Sequence, residues 1–147
     1  HAELRVTPDA DRARIRVIDV AARSIGGLCA RALRFGAGIS LEEVILRHAL
    51  RLPLGDLGRD GAASGVMMLP IPRSGTLRAV HGQDAARAVA GVVDLEISIP
   101  AGRPVVALPE GDRYLGFLFA RGDTPEAVEA SLREAHACLE VVIEPVG

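Results

Sequence analysis

Glu3, Asp19, Arg23 and the Gly26-Gly27 pair are the residues whose types and spacing could do chemistry and are not explained by packing. The arm Ala2-Glu3-Leu4-Arg5-Val6-Thr7 alternates apolar and polar residues at the period of a strand. A second arm, Arg14 to Val20, is rich in β-branched residues that suit a pleated surface. Between them, Pro8-Asp9-Ala10-Asp11-Arg12-Ala13 has the composition of a turn. A hairpin symmetric about Asp11 places Glu3 opposite Asp19, with Cβ atoms about 5 Å apart. Two carboxylates so placed repel each other. Mg²⁺ would cancel that charge, since it takes one or two carboxylates and fills its other positions with water and phosphate oxygens. The competing reading makes both acids solvated strand residues, with Glu3 paired to Arg5. A register slip of one residue would put Ile18 opposite Glu3 instead.

Beyond Asp19, Arg23-Ser24-Ile25-Gly26-Gly27 leaves the strand and runs into the helical pattern Leu28-Cys29-Ala30-Arg31-Ala32-Leu33. Glycines at a helix start let backbone N–H groups approach an anion, and the helix dipole favours negative charge there. Arg23 adds a planar, permanently charged fork suited to phosphate or carboxylate. A cation site and an anion site are thus expected a few residues apart.

The stretch His1-Ala2-Glu3, followed by Val17-Ile18-Asp19-Val20-Ala21-Ala22-Arg23-Ser24-Ile25-Gly26-Gly27, resembles the last catalytic strands of an ATP-grasp ligase. The resemblance implies that Glu3 and Asp19 hold Mg²⁺, or Mn²⁺, against the phosphates of ATP. It further implies that Arg23, the catalytic residue, acts with Ser24, Gly26 and Gly27 on a phosphoryl group or substrate carboxylate. Asp19 stands where the superfamily more often has Glu, and Ala21 stands at the usual Asn position. The pattern acid, x, Ala, Ala, Arg, x, x, Gly-Gly is most similar to the branch of L-amino-acid ligases and carboxylase-like carboxylate–amine ligases. The sequence through Val142 also resembles the C-terminal region of that branch. The implied activity joins a small-molecule carboxylate to an amine through an acyl phosphate, at the expense of ATP.

The bulk composition sets the frame for these elements. With 147 residues and 49% hydrophobic content the chain can bury a proper core. A formal charge of −2 supplies no basic field for nucleic acid, and 3% aromatics with no Trp supply no base-stacking platform. Cys29 and Cys138 suit a reduced, cytoplasmic setting better than a disulfide framework. No run is apolar enough for a membrane span and no signal peptide is visible. All 17 basic residues are arginine. ATP-grasp folds normally hold nucleotide phosphates with lysines from subdomains that precede this stretch. The chain also opens at His1 without Met, in what reads as mid-strand. Both features are expected of a piece of a longer protein that is inactive by itself.

The rest reads as α+β. Residues 1–53 are expected to be the C-terminal portion of an ATP-grasp catalytic domain, an antiparallel hairpin plus two helices. The first helix runs from Leu28 to about Phe35, with Gly36 as its cap. The second starts at a capping box, Ser40 with Glu43, and stops at Pro53. Leu41, Val44, Ile45, His48 and Leu52 share its inward stripe, which makes His48 a partly buried structural residue. Leu54 to Ala63 reads as a linker. Residues 54–147 are expected to form a small split-βαβ domain with an antiparallel sheet. Ser64 to Ile71 and Thr76 to His81 make a hairpin, Gln83 to Ala90 a helix, and Val92 to Ile99 a strand with Val93, Leu95, Ile97 and Ile99 inward. After Pro104 to Leu108 comes the most apolar and central strand, Arg113 to Ala120. Thr124 caps a helix with Pro125 in its first turn and a stripe of Val128, Leu132, Ala135 and Leu139, beside which His136 lies. Glu140 to Glu144 closes the domain. Arg73, Arg103 and Arg113 are this half's candidates for ligand contacts, with a solvent-facing position the favoured reading of each. The alternative to the ligase reading is a non-enzymatic α+β module that binds a small molecule or forms a homodimer.

Overall fold

The computed structural model describes residues 1–8, 13–35, 38–58 and 61–145. Contacts divide the chain into two compact units, His1–Ala30 and Arg31–Gly147.

The first unit is built on an antiparallel pair, β1 (Ala2–Thr7) and β2 (Arg14–Val20). The expected hairpin forms, although Asp11 and its neighbours lie outside the described residues. Every residue of both strands is exposed.

The helix expected from Leu28 does not form. In its place stands a four-residue 3-10 turn, Cys29–Ala32, which leads into the short strand β3 (Arg34–Phe35). Nucleating a helix fixes several residues for a single hydrogen bond, so an isolated run of this length is marginal. Tertiary partners take its groups instead: Ser64 Oγ donates to the Ala32 carbonyl at 2.7 Å, and Arg31 reaches Glu96. β3 pairs with β4 (Ile39–Ser40), and the expected cap Gly36 lies outside the described residues. Residues 1–53 therefore carry one α-helix among the described residues, where two helices were expected.

That helix, α1 (Leu41–Ala49), starts where the capping box places it, with Ser40 Oγ accepting from the Glu43 N–H at 3.2 Å. Arg51 ends it in the left-handed conformation, at φ 56°, and the Leu52 N–H returns to the Arg47 carbonyl at 2.8 Å. α1 has no buried residue, and His48 is exposed. The burial predicted for His48 is thus corrected, because an amphipathic stripe is buried only if something packs on it.

The second unit continues with β5 (Ala63–Leu69), β6 (Gly75–His81), α2 (Gln83–Ala88), β7 (Val92–Ile97), β8 (Pro104–Val105), β9 (Gly116–Gly122), α3 (Pro125–Ala137) and β10 (Glu140–Glu144). Its strands are shared between two three-stranded antiparallel sheets, ordered β5-β9-β7 and β10-β6-β8. The split-βαβ reading with one sheet does not contain that division. The β5–β6 hairpin is also corrected: β5 pairs with β9, and β6 with β10 and β8. Pro70 and Pro72 stiffen the connection beyond a tight turn, and Ile71 between them is buried in the core.

β9 is central, as its apolar run predicts. Leu118 and Ala120 enter the main core with Leu69, Leu77, Leu95 and Ile143, and α3 adds Val128, Leu132 and Ala135. Phe117 and Phe119 alternate to the opposite face and stack with ring centroids 6.4 Å apart. A strand buried on both faces reads as a continuous hydrophobic stretch. α3 starts as expected, Thr124 Oγ1 accepting from the Ala127 N–H at 3.2 Å, and His136 is exposed. β7 departs from simple alternation. Val92 faces Ala120 and Asp94 faces Phe119, so a bulge makes Val93 the extra residue and leaves it 58% exposed.

Candidate functional site

The candidate site is assembled by the first hairpin. Near the turn Leu4 pairs with Val17, Arg5 with Arg16, Val6 with Ile15 and Thr7 with Arg14. Continued unchanged, this register would set Ile18 opposite Glu3, the slip that removes the acid pair. A β-bulge between Glu3 and Leu4 shifts it by one residue, leaves Ile18 as the extra residue of β2, and brings Glu3 directly opposite Asp19. Directly paired residues on antiparallel strands project to the same face. The symmetric hairpin is therefore wrong in most of its pairs and right at the pair that matters, since the bulge restores it there.

The face carrying the two acids continues with Arg5 opposite Arg16. His1 Nε2 lies 3.7 Å from Glu3 Oε1. Among the described residues Glu3 makes no ion pair with Arg5. The Ala21 N–H donates to the His1 carbonyl at 2.9 Å and extends the pairing beyond β1.

Arg23 is exposed and folds back over the glycine loop. Its Nη1 donates to the Ser24 carbonyl at 3.1 Å and lies 3.4 Å from where a Cβ on Gly26 would stand. Gly26 and Gly27 are exposed, and Gly27 takes φ 62°. A Cβ at Gly26 would meet the guanidinium at ordinary van der Waals distance, and a side chain at Gly27 would strain the backbone. The dipole of a following helix is no longer available, because that helix is one 3-10 turn. Any anion contact here rests on the Arg23 fork and exposed backbone amides.

The acids offer hard oxygen donors on one face, which suits Mg²⁺ or Mn²⁺ bound by two carboxylates with the remaining positions left to water and phosphate. Among the described residues no group of three or more His, Cys, Asp or Glu converges on a point, so a cage made wholly of protein ligands is not offered. Cys29 and Cys138 are free thiols.

Of the second-half candidates, Arg73 donates to the Ile143 carbonyl at 2.5 Å and serves the fold. Arg103 and Arg113 line one open concavity with Asp112. Arg31, Arg34 and Arg121, missed by the sequence reading, line another. No signal local to the chain could have joined Arg31 and Arg34 to Arg121, which lies far away in sequence.

Residues 67–144 match the family described as L-amino acid ligase C-terminal domain 2. The chain belongs to this family. Two solved structures share its fold: L-amino acid ligase from Bacillus licheniformis, at 23% identity and TM-score 0.70, and N5-carboxyaminoimidazole ribonucleotide synthetase from Thermotoga maritima, at 22% and 0.65. Each alignment covers 97% of this chain, which spans 36% of the length of either structure. No curated protein matches. The resemblance to the C-terminal part of an ATP-grasp ligase, nearest the L-amino-acid ligase branch, is what the comparisons return. The family match lies within the second unit, whereas the candidate site lies in the first. Among the described residues no helix is long and apolar enough to cross a membrane.

Proposed function

We propose that this chain is the C-terminal part of an ATP- and Mg²⁺-dependent carboxylate–amine ligase and does not turn over by itself. The observation that carries the reading is the bulge that sets Glu3 opposite Asp19, two residues of a ligase-like motif that an unbroken register would separate. Glu3 and Asp19 would hold Mg²⁺, or Mn²⁺, which when bound neutralises phosphate oxygens. In the reaction a carboxylate oxygen of one substrate attacks the γ-phosphorus of ATP and ADP leaves. The amine nitrogen of the second substrate then attacks the acyl carbon, phosphate departs, and the nitrogen loses its proton. Arg23, with Ser24 and the Gly26 and Gly27 amides, would stabilise the acyl phosphate. That species is more highly charged than the substrate carboxylate, so the contact favours rate over uniform binding.

The division of the parent is placed between residues 1–53, its catalytic portion, and the small domain 54–147. Residues 52–58 form neither helix nor strand, and Asp56 closes a local turn by accepting from the Gly58 N–H at 2.7 Å. Compactness groups 31–53 with the later residues because Arg31 and Ala32 are held by Glu96 and Ser64.

Mn²⁺ titrated into the isolated chain should broaden the amide resonances of Glu3 and Asp19 first, and the Glu3→Gln and Asp19→Asn variants should each lose that broadening. ATP hydrolysis by the isolated chain should stay at background. Uniform broadening, or turnover that Glu3→Ala abolishes in the isolated chain, would overturn the assignment.

A further inference from the structure

The two edges of the β5-β9-β7 sheet are unlike. β7 carries Asp94 and Glu96 and is broken by the bulge at Val93, devices that discourage pairing with another chain. β5 has neither: its seven residues, Ala63–Leu69, include no charge and no proline, and they pair with β9 in unbroken register. On its other side β5 meets no strand among the described residues. The β10-β6-β8 sheet is guarded too, since β8 is two residues long and begins with Pro104, and β10 carries Glu140 and Glu144. β5 is thus an open template for a further strand.

An open groove of about 600 Å³ runs between this edge and α3. Alternation places Ala63, Gly65 and Met67 on the α3 side, and α3 lies so close that a Cβ on Gly65 would stand 2.8 Å from Val128 and 3.1 Å from Leu132. Val66 and the exposed Met68 face the other way, paired with Phe119 and Phe117. Antiparallel self-pairing centred on Val66 uses all seven residues of β5. It sets Met67 of one copy beside Gly65 of the other, an adaptable side chain against a bare backbone, on both sides of the axis. The two-fold axis is then perpendicular to the sheet, so both α3 helices lie on one face. α3 packs evenly on β5 and β9, which sets the two helices about two strand spacings apart, or ~10 Å, the distance at which helices pack. Val128 and Leu132 lie over Gly65, so the axis passes between Glu129 and Arg133, which also line the groove. Each Glu129 comes level with Arg133 of the second copy, the self-complementary charge pattern that such a contact requires.

We propose that β5 is a dimerisation edge, joining two copies of this chain by antiparallel β5 pairing into one six-stranded sheet with the α3 helices side by side. The guarded β7 edge ends that sheet on both sides, so assembly stops at two copies. Edge and groove lie wholly in the second unit and involve none of the hairpin's residues. Sedimentation velocity of the 147-residue chain over a range of concentrations should show a reversible monomer–dimer equilibrium. Val66→Lys sets two ammonium groups against each other at the axis, and Met68→Lys puts a charge on the exposed end of the edge. Each should raise the dimer dissociation constant about tenfold with circular dichroism unchanged, and Met68→Lys decides the matter if Val66→Lys does not fold. Arg133→Glu should weaken the dimer, and the exchanged pair Glu129→Arg with Arg133→Glu should restore it. With Cys29 and Cys138 replaced by serine, Val66→Cys should give a disulfide-linked dimer on oxidation, because Cα atoms facing across antiparallel strands stand about 5 Å apart. Val93→Cys on the other edge should not. The proposal is overturned if the chain is monomeric at every concentration, if Met68→Lys dimerises as the unaltered chain does, if Val93→Cys links as readily as Val66→Cys, or if Val17→Lys in the hairpin abolishes the dimer while Met68→Lys leaves it intact.

Discussion

The hairpin unit and the larger unit use side chains in opposite ways. In the hairpin every strand residue is exposed, Val17 to 64%, and Glu3 and Asp19 sit on strands that bury nothing. In the larger unit Leu118 is 0% exposed, strands and helix share one apolar core, and its sequence-predicted polar residues make structural bonds or face solvent. Candidate chemistry and stability therefore reside in different parts of the chain, and substitutions should separate them.

The sharpest separation compares the two ends of that scale. Leu118→Ala removes a fully buried side chain from the central strand and should cost about 2–5 kcal/mol. Val17→Ala in the hairpin should cost no more than about 0.5 kcal/mol. Chemical denaturation of both variants measures the difference, and equal losses would show that the hairpin is as much a part of the cooperative unit as β9.

A complementary separation uses Arg23 in the proposed full-length ligase. Arg23→Ala should raise the activation barrier by about 3 kcal/mol, on the order of a hundredfold in turnover, without moving the melting temperature. Arg23→Lys should recover little, because an ammonium cannot reproduce a bidentate fork. Near-normal turnover in both variants would make Arg23 a structural residue.

Gly82 tests the larger unit's backbone. It takes φ 79°, and a Cβ there would stand 1.9 Å from the Cys138 carbonyl oxygen. Gly82→Ala should cost about 2 kcal/mol in thermal or chemical unfolding. A normal melting temperature would mean that the Cys138 turn yields easily.

Two caps with the same 3.2 Å bond sharpen the contrast further. Thr124→Ala should cost about 1 kcal/mol, because α3 buries Val128, Leu132 and Ala135 and cannot fray without losing them. Ser40→Ala should cost less, since α1 has no fully buried residue. Smallest of all, Glu3→Gln without metal should stabilise the hairpin by about 0.5 kcal/mol or less, by removing like-charge repulsion across the strands. Destabilisation would show that the His1–Glu3 contact outweighs it.

Much of this architecture was legible in the chain. The Ser40 and Thr124 caps, the Glu140–Glu144 strand, the central apolar strand and the antiparallel first hairpin all follow from interactions among residues within a few positions, or from a hydrophobic period. The misreadings share a cause. Leu28 to Phe35 has helical composition, but Arg31 and Ala32 are claimed by Glu96 and Ser64. Ser64 to Ile71 and Thr76 to His81 look like two arms of one hairpin, but β9 and β10 compete for them. His48 lies on an apolar stripe that the structure covers only in part, at Leu41 and Val44.

The sequence by itself determined where strands and capped helices begin, which strand lies at the centre, and which residue types stand at ligase-like spacing. It did so because those properties depend on local backbone preference and side-chain period. Which residues face each other was decided by tertiary structure. The Ile18 bulge sets Glu3 against Asp19, and the Val93 bulge with the β5–β9 register gathers Arg31, Arg34, Asp94 and Arg121 around Phe119. A shift of one residue in a strand costs little locally yet reverses every side chain beyond it, so register is settled by the sum of distant contacts.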